Sequence, residues 1–323
     1  MTFNLVVIVF AILLIAKGSD FLTDSLIPLA RRLQVSSISL GLVLVSAAVS
    51  LPEIFVAVGS GLRGHTDLSL GVTLGSIAVN IAFMTGLSAI VRPLKVTTHM
   101  ILRDGIFSVV VPILIFAVAT DGQISRLDGL AIFLLFIPYL ANVFLQERRI
   151  TLEEREVLAT HAEEKLGIMG LQILKMAPGW LTFVLGVLAV LGGSQVFTAQ
   201  LIELVRTYSR SELLIGLTLG AIGPSIPNVI SSYKATRQGL TEVAVSETLG
   251  SNIFTLLVTL GTVAVVRPIT VSRPWLLFDI PIMILMSLLL FLFMVTRRLI
   301  SKVEGSLLLV FYFLIVVFQI AFL

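Results

Sequence analysis

Long apolar runs separated by short polar segments dominate the chain. A helix needs roughly 20 residues to cross the hydrocarbon of a bilayer, and each run is about that long or longer, with the first and sixth long enough to be tilted or broken. They cover residues 3–30, 37–62, 68–91, 102–120, 126–146, 170–204, 211–234, 242–266, 275–296 and 303–322. Because a spanning helix satisfies its backbone hydrogen bonds internally, the pattern predicts an all-α integral membrane protein with ten transmembrane helices.

The composition supports a bilayer as the principal partner. Hydrophobic residues make up 57% of the chain and charged residues 13%, whereas soluble domains carry about 25% charged residues. There is no cysteine, which excludes disulfides and thiolate metal sites. The three histidines stand in unrelated places, so a His-built metal site is not expected, and no cofactor is expected. Basic residues stand singly between apolar runs, which indicates topology signals and no nucleic-acid partner.

One extended polar stretch, from Gln146 to Lys165, divides the ten runs into five and five. Its dense charges predict a solvated, helical linker. We therefore expect a first repeat at 1–146, a charged linker at 147–169 and a second repeat at 170–323.

The distribution of Lys and Arg predicts the orientation. One side of the membrane has fewer than half as many basic residues as the other side. The basic residues of this poorer side are Arg63, Arg126, Arg206, Arg210, Arg267 and Arg273. The richer side is expected to be cytoplasmic. This predicts a multi-pass protein of the plasma membrane with both termini outside and the linker in the cytoplasm.

The two halves repeat each other at a constant offset of 175 residues. The matches include Gly18-Ser19 with Gly193-Ser194, Ser50 and Pro52 with Ser225 and Pro227, Thr73–Ser76 with Thr248–Ser251, and Arg92-Pro93 with Arg267-Pro268. Because each half has an odd number of spans, the repeats must be inverted. Inverted repeats are typical of alternating-access transporters with an ion site near mid-bilayer.

Glu53 is the clearest candidate for function, because a charge at the bilayer centre costs about 2.5–3.5 kcal/mol or more. It follows Pro52, which has no N–H and leaves a carbonyl one turn earlier without its donor. Ser50 adds a hydroxyl. Such oxygens suit a hard cation. The alternative is a protonated glutamate satisfied by a neighbouring helix.

Polar residues recur on the third and eighth runs. Ser76 and Asn80 share one helix face, and Ser251 and Thr255 repeat that face beside Asn252. These side chains are either ion ligands or ordinary packing residues at a helix interface.

The seventh run carries Pro224, Ser225, Pro227 and Asn228, and two prolines so close together predict a broken helix. Asn228 stands at the position equivalent to Glu53 and brings no charge.

Glu247 shares the face of Ser251 and Thr255 on the eighth run. It is either a second carboxylate of the site or an interfacial residue near a helix N-terminus, where the helix dipole favours negative charge. The residues alone leave both interpretations open.

These motifs resemble those of the calcium/cation antiporter superfamily, typified by sodium/calcium exchangers. That family has a Gly-Thr-Ser-Leu-Pro-Glu-like motif and a Gly-Ser-Asn-like motif in each of two inverted halves. The matching stretches are Ala48–Glu53, Gly75–Asn80, Gly223–Asn228 and Gly250–Thr255. The resemblance implies exchange of calcium for sodium or protons at a cluster between runs 2, 3, 7 and 8.

Carried over by position, the family's two central glutamates fall on Glu53 and Asn228, and Thr255 replaces an acidic or amide residue. The other ligands of the family fall on Ser50, Ser76, Asn80, Ser225 and Ser251 of this chain. A divalent ion in a low dielectric needs compensating negative charge. Either Glu247 restores a second carboxylate, or the protein carries monovalent ions or a divalent ion with fewer counter-charges.

We therefore expect a secondary active cation antiporter that exchanges Ca2+ for Na+ by alternating access, with Glu53 as the central ligand. No nucleophile–base pair or metal triad is visible, so an enzyme is not expected. The alternatives are a monovalent-cation, proton-coupled or Mg2+ exchanger, and a homologue that does not transport. The oligomeric state stays open, with a monomer as the simplest case.

Overall fold

The computed structural model describes residues 2–32, 38–147, 176–208 and 211–322, with side chains for 4–25, 46–143, 145, 176–207 and 211–321. Its helices are α1 Thr2–Arg32, α2 Ile38–Leu62, α3 Thr66–Val91, α4 Thr98–Ala119, α5 Arg126–Leu134, α6 Phe136–Glu147, α7 Trp180–Tyr208, α8 Glu212–Arg237, α9 Thr241–Val266, α10 Trp275–Arg297 and α11 Lys302–Phe322. Its strands are β1 Leu94–Lys95, β2 Gln123–Ile124, β3 Ile269–Thr270 and β4 Leu299–Ile300. Beyond Glu147, the predicted linker at 147–169 lies outside the described residues.

The helices confirm an all-α, multi-pass membrane protein. Within the described residues, nine helical segments are long and apolar enough to cross a bilayer. The part of α2 with described side chains adds a shorter apolar helix, Ser46–Leu62.

Two details of the predicted spans are wrong. The sixth span was expected from residue 170, but residues 176–179 are not helical and α7 begins at Trp180, directly after Pro178 and Gly179. These two residues disfavour helix continuation from the preceding chain.

The seventh span was expected to break at its prolines, but α8 continues through both. A π-helical turn at Gly216–Gly220 ends four residues before Pro224 and seven residues before Pro227. Proline is tolerated in membrane helices where local π adjustments and neighbouring helices accommodate the backbone. The helix therefore remains continuous at the position where a break was predicted.

The short strands pair across the two halves of the chain. In one antiparallel pair Leu94 lies opposite Ile300, and in the other Ile124 lies opposite Ile269. Leu94 and Ile269 are 175 residues apart, and Ile124 and Ile300 are 176 apart. The two pairings are thus equivalent under the sequence repeat, with one extra residue in the second half.

Two glycine turns show the same exchange of contacts. Gly64 follows α2 with φ +92°, and Gly239 follows α8 with φ +93°, a region that favours glycine. The guanidinium of Arg267 lies beside Gly64, and that of Arg92 lies beside Gly239. Each half therefore supplies the arginine that covers the other half's turn.

Several basic residues gather at one end of the molecule, which we call the basic end and define by Arg92, Lys95, Lys234, Arg237 and Arg298. Arg92 lies beside the turn that follows α8. The backbone N–H of Lys95 donates to Thr241 Oγ1 at 3.3 Å. The carbonyl of Arg298 accepts from the backbone N–H of Val96 at 2.9 Å.

The centre of the molecule is built from α2, α3, α8 and α9, and α1 and α7 pack together along one side of it. Contact between α3 and α8 depends on small residues. An ideal Cβ on Gly71 would lie 2.9 Å from Gly216 Cα, and one on Gly75 would lie 2.6 Å from Ala221 Cβ. The absent side chains allow close helix approach, as is usual in membrane bundles.

Replacing Gly71 with valine is expected to destabilise the fold by about 1–3 kcal/mol or more, the usual cost of overpacking. The new side chain would collide with the Gly216 backbone. Thermal unfolding in detergent should show a lower midpoint. Gly192→Val on α7 is the matched control, because no atom lies within 4 Å of its Cβ position; equal midpoints for both variants would contradict the packing.

Candidate functional site

Glu53 lies at the centre of the four-helix core and is 0% exposed. Its Oε1 accepts a hydrogen bond from Ser225 Oγ at 2.8 Å and a longer one from Asn228 Nδ2 at 3.5 Å. Its Oε2 accepts from Thr255 Oγ1 at 2.9 Å. The carboxylate of the first half is therefore surrounded by donors from the second half.

A second polar contact between the two halves joins the side chains of Asn80 and Asn252. Asn80 Nδ2 donates to Asn252 Oδ1 at 3.2 Å, and Thr85 Oγ1 donates to the Asn80 carbonyl at 3.1 Å. Asn80 and Asn252 are both buried. Helices α3 and α9 therefore meet through two side-chain amides, one from each half of the chain.

Two π-helical turns carry site residues. Asn80 lies in the turn Val79–Met84 of α3, and Thr255 begins the turn Thr255–Thr259 of α9. These two residues are equivalent under the offset of 175. Single π-helical turns are frequent at functional sites, where they change the direction of side chains and carbonyls.

Five buried oxygens of the predicted site have no hydrogen-bond partner among the described residues. They are Ser50 Oγ, Ser76 Oγ, Asn80 Oδ1, Asn228 Oδ1 and Ser251 Oγ. An unsatisfied buried polar atom costs about 1–3 kcal/mol. Hydroxyl and amide oxygens are also ligands for hard cations, so the same atoms can satisfy an ion that has lost its water.

The structure also buries Glu247, which is 1% exposed. It lies on α9, one turn before Ser251. Hydrogen bonds join Glu53 to Ser225, Asn228 and Thr255, and Glu247 is set apart from these contacts along α9.

Sequence reasoning missed two hydroxyl pairs between the halves. Thr85 Oγ1 lies 2.8 Å from Thr248 Oγ1, and Ser88 Oγ lies 2.9 Å from Ser232 Oγ. Thr248 had a signal in the repeat, where it matches Thr73. The other three are small polar residues in apolar runs, and only the packing shows that they meet.

A buried ion pair was also missed. The Arg103 guanidinium donates to the Asp104 carboxylate through Nε at 3.0 Å and Nη2 at 2.6 Å. Tyr139 Oη donates to the same carboxylate at 3.0 Å. The group joins α4 to α6, and the charges of Arg103 and Asp104 face each other within it.

A multi-pass helical protein with a buried carboxylate among hydroxyl and amide oxygens has the features of a cation transporter. The family model described as sodium/calcium exchanger protein matches residues 3–145 and 178–321. The chain therefore belongs to the sodium/calcium exchanger family. The resemblance inferred from the motifs is confirmed, and the family is one of transporters and not of enzymes.

Individual relatives extend over most of the chain. Inner membrane protein YrbG of Escherichia coli (strain K12) is 30% identical over 281 residues, covering 87% of this chain and 85% of the relative. Sodium/calcium exchanger MaX1 of Methanosarcina acetivorans is 27% identical and covers 99% of both chains. A solved structure of the sodium-calcium exchanger NCX_Mj has a TM-score of 0.68 at 24% identity, covers 99% of this chain and 98% of its own, and shows the same fold.

Proposed function

We propose that this protein is a secondary active antiporter that exchanges Ca2+ for Na+ by alternating access, with Glu53 as the central ligand. The buried Glu53 carboxylate and its three donors from the opposite half carry the proposal. The proposed ligand set is Ser50, Glu53, Ser76, Asn80, Ser225, Asn228, Glu247, Ser251, Asn252 and Thr255.

The site supports a cation as the transported species. When Ser225 and Thr255 hydroxyls rotate, their lone pairs turn toward the space that their protons occupied. The unpartnered oxygens of Ser50, Ser76 and Asn228 are available in addition. An ion at Glu53 therefore gains oxygen ligands without rearrangement of the helices.

The two carboxylates of the ligand set fit a divalent cation, the coordination preferences favour calcium over magnesium, and monovalent transport is the second candidate. Glu53 and Glu247 together would offset the two charges of Ca2+. Calcium accepts 6–8 oxygens in flexible geometry, whereas magnesium requires a near-ideal octahedron. The neutral side chains of Asn228 and Thr255 favour the rival, in which Glu53 alone compensates Na+, K+ or a proton.

The same proposal includes topology. Two inverted five-helix repeats, 1–146 and 170–323, would flank the linker at 147–169. The exchanged strand pairs and arginine contacts support this division. With the basic end in the cytoplasm, both termini lie outside the plasma membrane, and a monomer holds the complete site.

Reconstituted vesicles test the function. Purified protein in Na+-loaded liposomes should accumulate 45Ca2+ after dilution into Na+-free buffer, and a sodium ionophore should abolish the uptake. K+-loaded and acid-loaded vesicles distinguish the monovalent and proton-coupled rivals. Absence of uptake under every gradient, together with absence of cation binding in calorimetry, would contradict the proposal and indicate a non-transporting homologue.

A further inference from the structure

Helix α8 has one face that takes no part in the central site. Its inner face carries Ser225, Asn228 and Ser232, which contact Glu53 and Ser88. The opposite face carries a line of residues spaced by three or four positions, which places them above one another along the helix. We call this line the outer stripe and define it by Leu219, Ile222, Ile226, Ile230, Tyr233 and Arg237.

The outer stripe faces the bilayer over its apolar part. Leu219 is 47% exposed and Ile222 is 37% exposed. Both lie in the membrane-spanning segment Glu212–Arg237, so their exposed surface contacts acyl chains. The stripe becomes aromatic at Tyr233 and basic at Arg237. This order is typical of a helix that passes from the hydrocarbon into the headgroup region.

A cavity of about 720 Å³ lies at the basic end of this stripe. Leu87 of α3 forms its apolar wall together with Val229 and Ile230 of α8. Lys234 and Arg237 form its charged wall, and the described residues that line the cavity include no acidic side chain. The cavity therefore matches a molecule with a negatively charged group at one end and an apolar body.

A further cation lies beside the cavity. The Arg92 guanidinium is next to Gly239, and Gln238, the residue before that glycine, lines the cavity. Arg92 follows α3 and is exposed. The two halves of the chain thus bring positive charge to the same place, and clustered Lys and Arg at a membrane surface attract anionic headgroups.

The length of the stripe fits one leaflet of the bilayer. Ile226 and Arg237 are 11 residues apart, which is about 16 Å along the helix at about 1.5 Å per residue. The hydrocarbon core is about 30 Å thick, so one leaflet contributes about 15 Å. An acyl chain that begins near Arg237 therefore reaches Ile226 within its own leaflet.

Charge and polarity together favour an anionic phospholipid as the occupant. A soluble phosphate would leave the apolar wall of Leu87, Val229 and Ile230 in contact with water. A zwitterionic lipid adds an ammonium group, which Lys234 and Arg237 repel. Basic pockets between transmembrane helices on the cytoplasmic side bind anionic headgroups, and the positive-inside rule places the basic end on that side.

We propose that the cavity binds one anionic phospholipid, with its phosphate at Lys234 and Arg237 and an acyl chain along the outer stripe. The lipid would contact α3 through Leu87 and α8 through Ile230, and would thereby stabilise the arrangement in which Ser88 meets Ser232. This inference goes beyond the proposed function. It holds whichever ion the protein carries, because no part of it uses the central site.

Native mass spectrometry of the purified full-length protein tests the lipid site. Phosphatidylglycerol and phosphatidylcholine with identical acyl chains should be titrated in a neutral detergent. Wild type should retain one phosphatidylglycerol, bound at least about tenfold more tightly than phosphatidylcholine, and only phosphatidylglycerol should raise the midpoint of thermal unfolding appreciably. The Lys234→Gln/Arg237→Gln variant should bind the two lipids with equal affinity.

Lys95→Gln/Arg298→Gln is the matched control, since it removes two positive charges from the basic end outside the cavity lining. It should keep the wild-type preference. Equal affinity of wild type for the two lipids would overturn the proposal even if the cavity variant does not fold. An unchanged preference in a folded cavity variant would also overturn it, as would equal stabilisation of wild type by glycerol 3-phosphate, which would indicate a site for soluble phosphate.

Discussion

Glu53→Gln is expected to abolish Na+-driven Ca2+ uptake and to weaken Ca2+ binding at the central site by more than about 100-fold. Two unit charges 4 Å apart interact by about 4 kcal/mol at an effective dielectric of 20, and each 1.4 kcal/mol is tenfold in affinity. Glutamine has the same shape and can still contact Ser225 and Thr255, so the fold should survive. Uptake and thermal unfolding should be measured on the same preparation.

Two further variants make this result specific to the site. Glu203→Gln removes an exposed carboxylate from α7 and should leave uptake unchanged. Ser225→Ala removes one donor to Glu53 and should reduce affinity without abolishing transport. Normal uptake by a folded Glu53→Gln protein would exclude Glu53 as the central ligand.

Asn228→Glu is expected to raise the affinity for Ca2+ by at least about tenfold and to increase the preference for Ca2+ over Na+. The new carboxylate would lie close to Glu53, because Asn228 Nδ2 is 3.5 Å from Glu53 Oε1. Without an ion, two such carboxylates repel each other, and a divalent cation relieves that repulsion. Thermal stability should therefore depend more strongly on Ca2+ than it does in wild type.

The control for this variant is Asn228→Gln, which adds the same length without a charge. It should show neither the gain in affinity nor the stronger stabilisation by Ca2+. Competition of Na+ against 45Ca2+ uptake measures the preference directly. An unchanged preference in Asn228→Glu would mean that the charge at this position does not select the ion.

Apolar periodicity predicts most of the fold because each spanning helix must be apolar over its own length. α2 and α3 begin and end within a few residues of the predicted spans. The π-helical turns at Asn80 and Thr255 were not predictable, since they depend on packing between helices. The same holds for the continuous α8, because membrane helices tolerate residues such as Pro224 and Pro227 where the surrounding helices accommodate them.

For the candidate site, the sequence repeat predicts which residues are equivalent but not which atoms meet. The repeat paired Glu53 with Asn228, and the structure adds that Ser225 and Thr255 hold the two carboxylate oxygens. The cross-helix contact of Ser88 with Ser232 joins positions 144 residues apart. No local pattern encodes such a contact, because it arises from the crossing of α3 and α8.

A crystal structure of the protein soaked with Sr2+, a stronger anomalous scatterer than Ca2+, would show directly whether Glu53 holds the transported ion. We predict an anomalous peak within about 2.6 Å of the Glu53 carboxylate, bounded by Ser225 and Thr255, that disappears in Glu53→Gln. If the protein transports Ca2+ and its strongest anomalous peak lies away from Glu53, then Glu53 is not the central ligand.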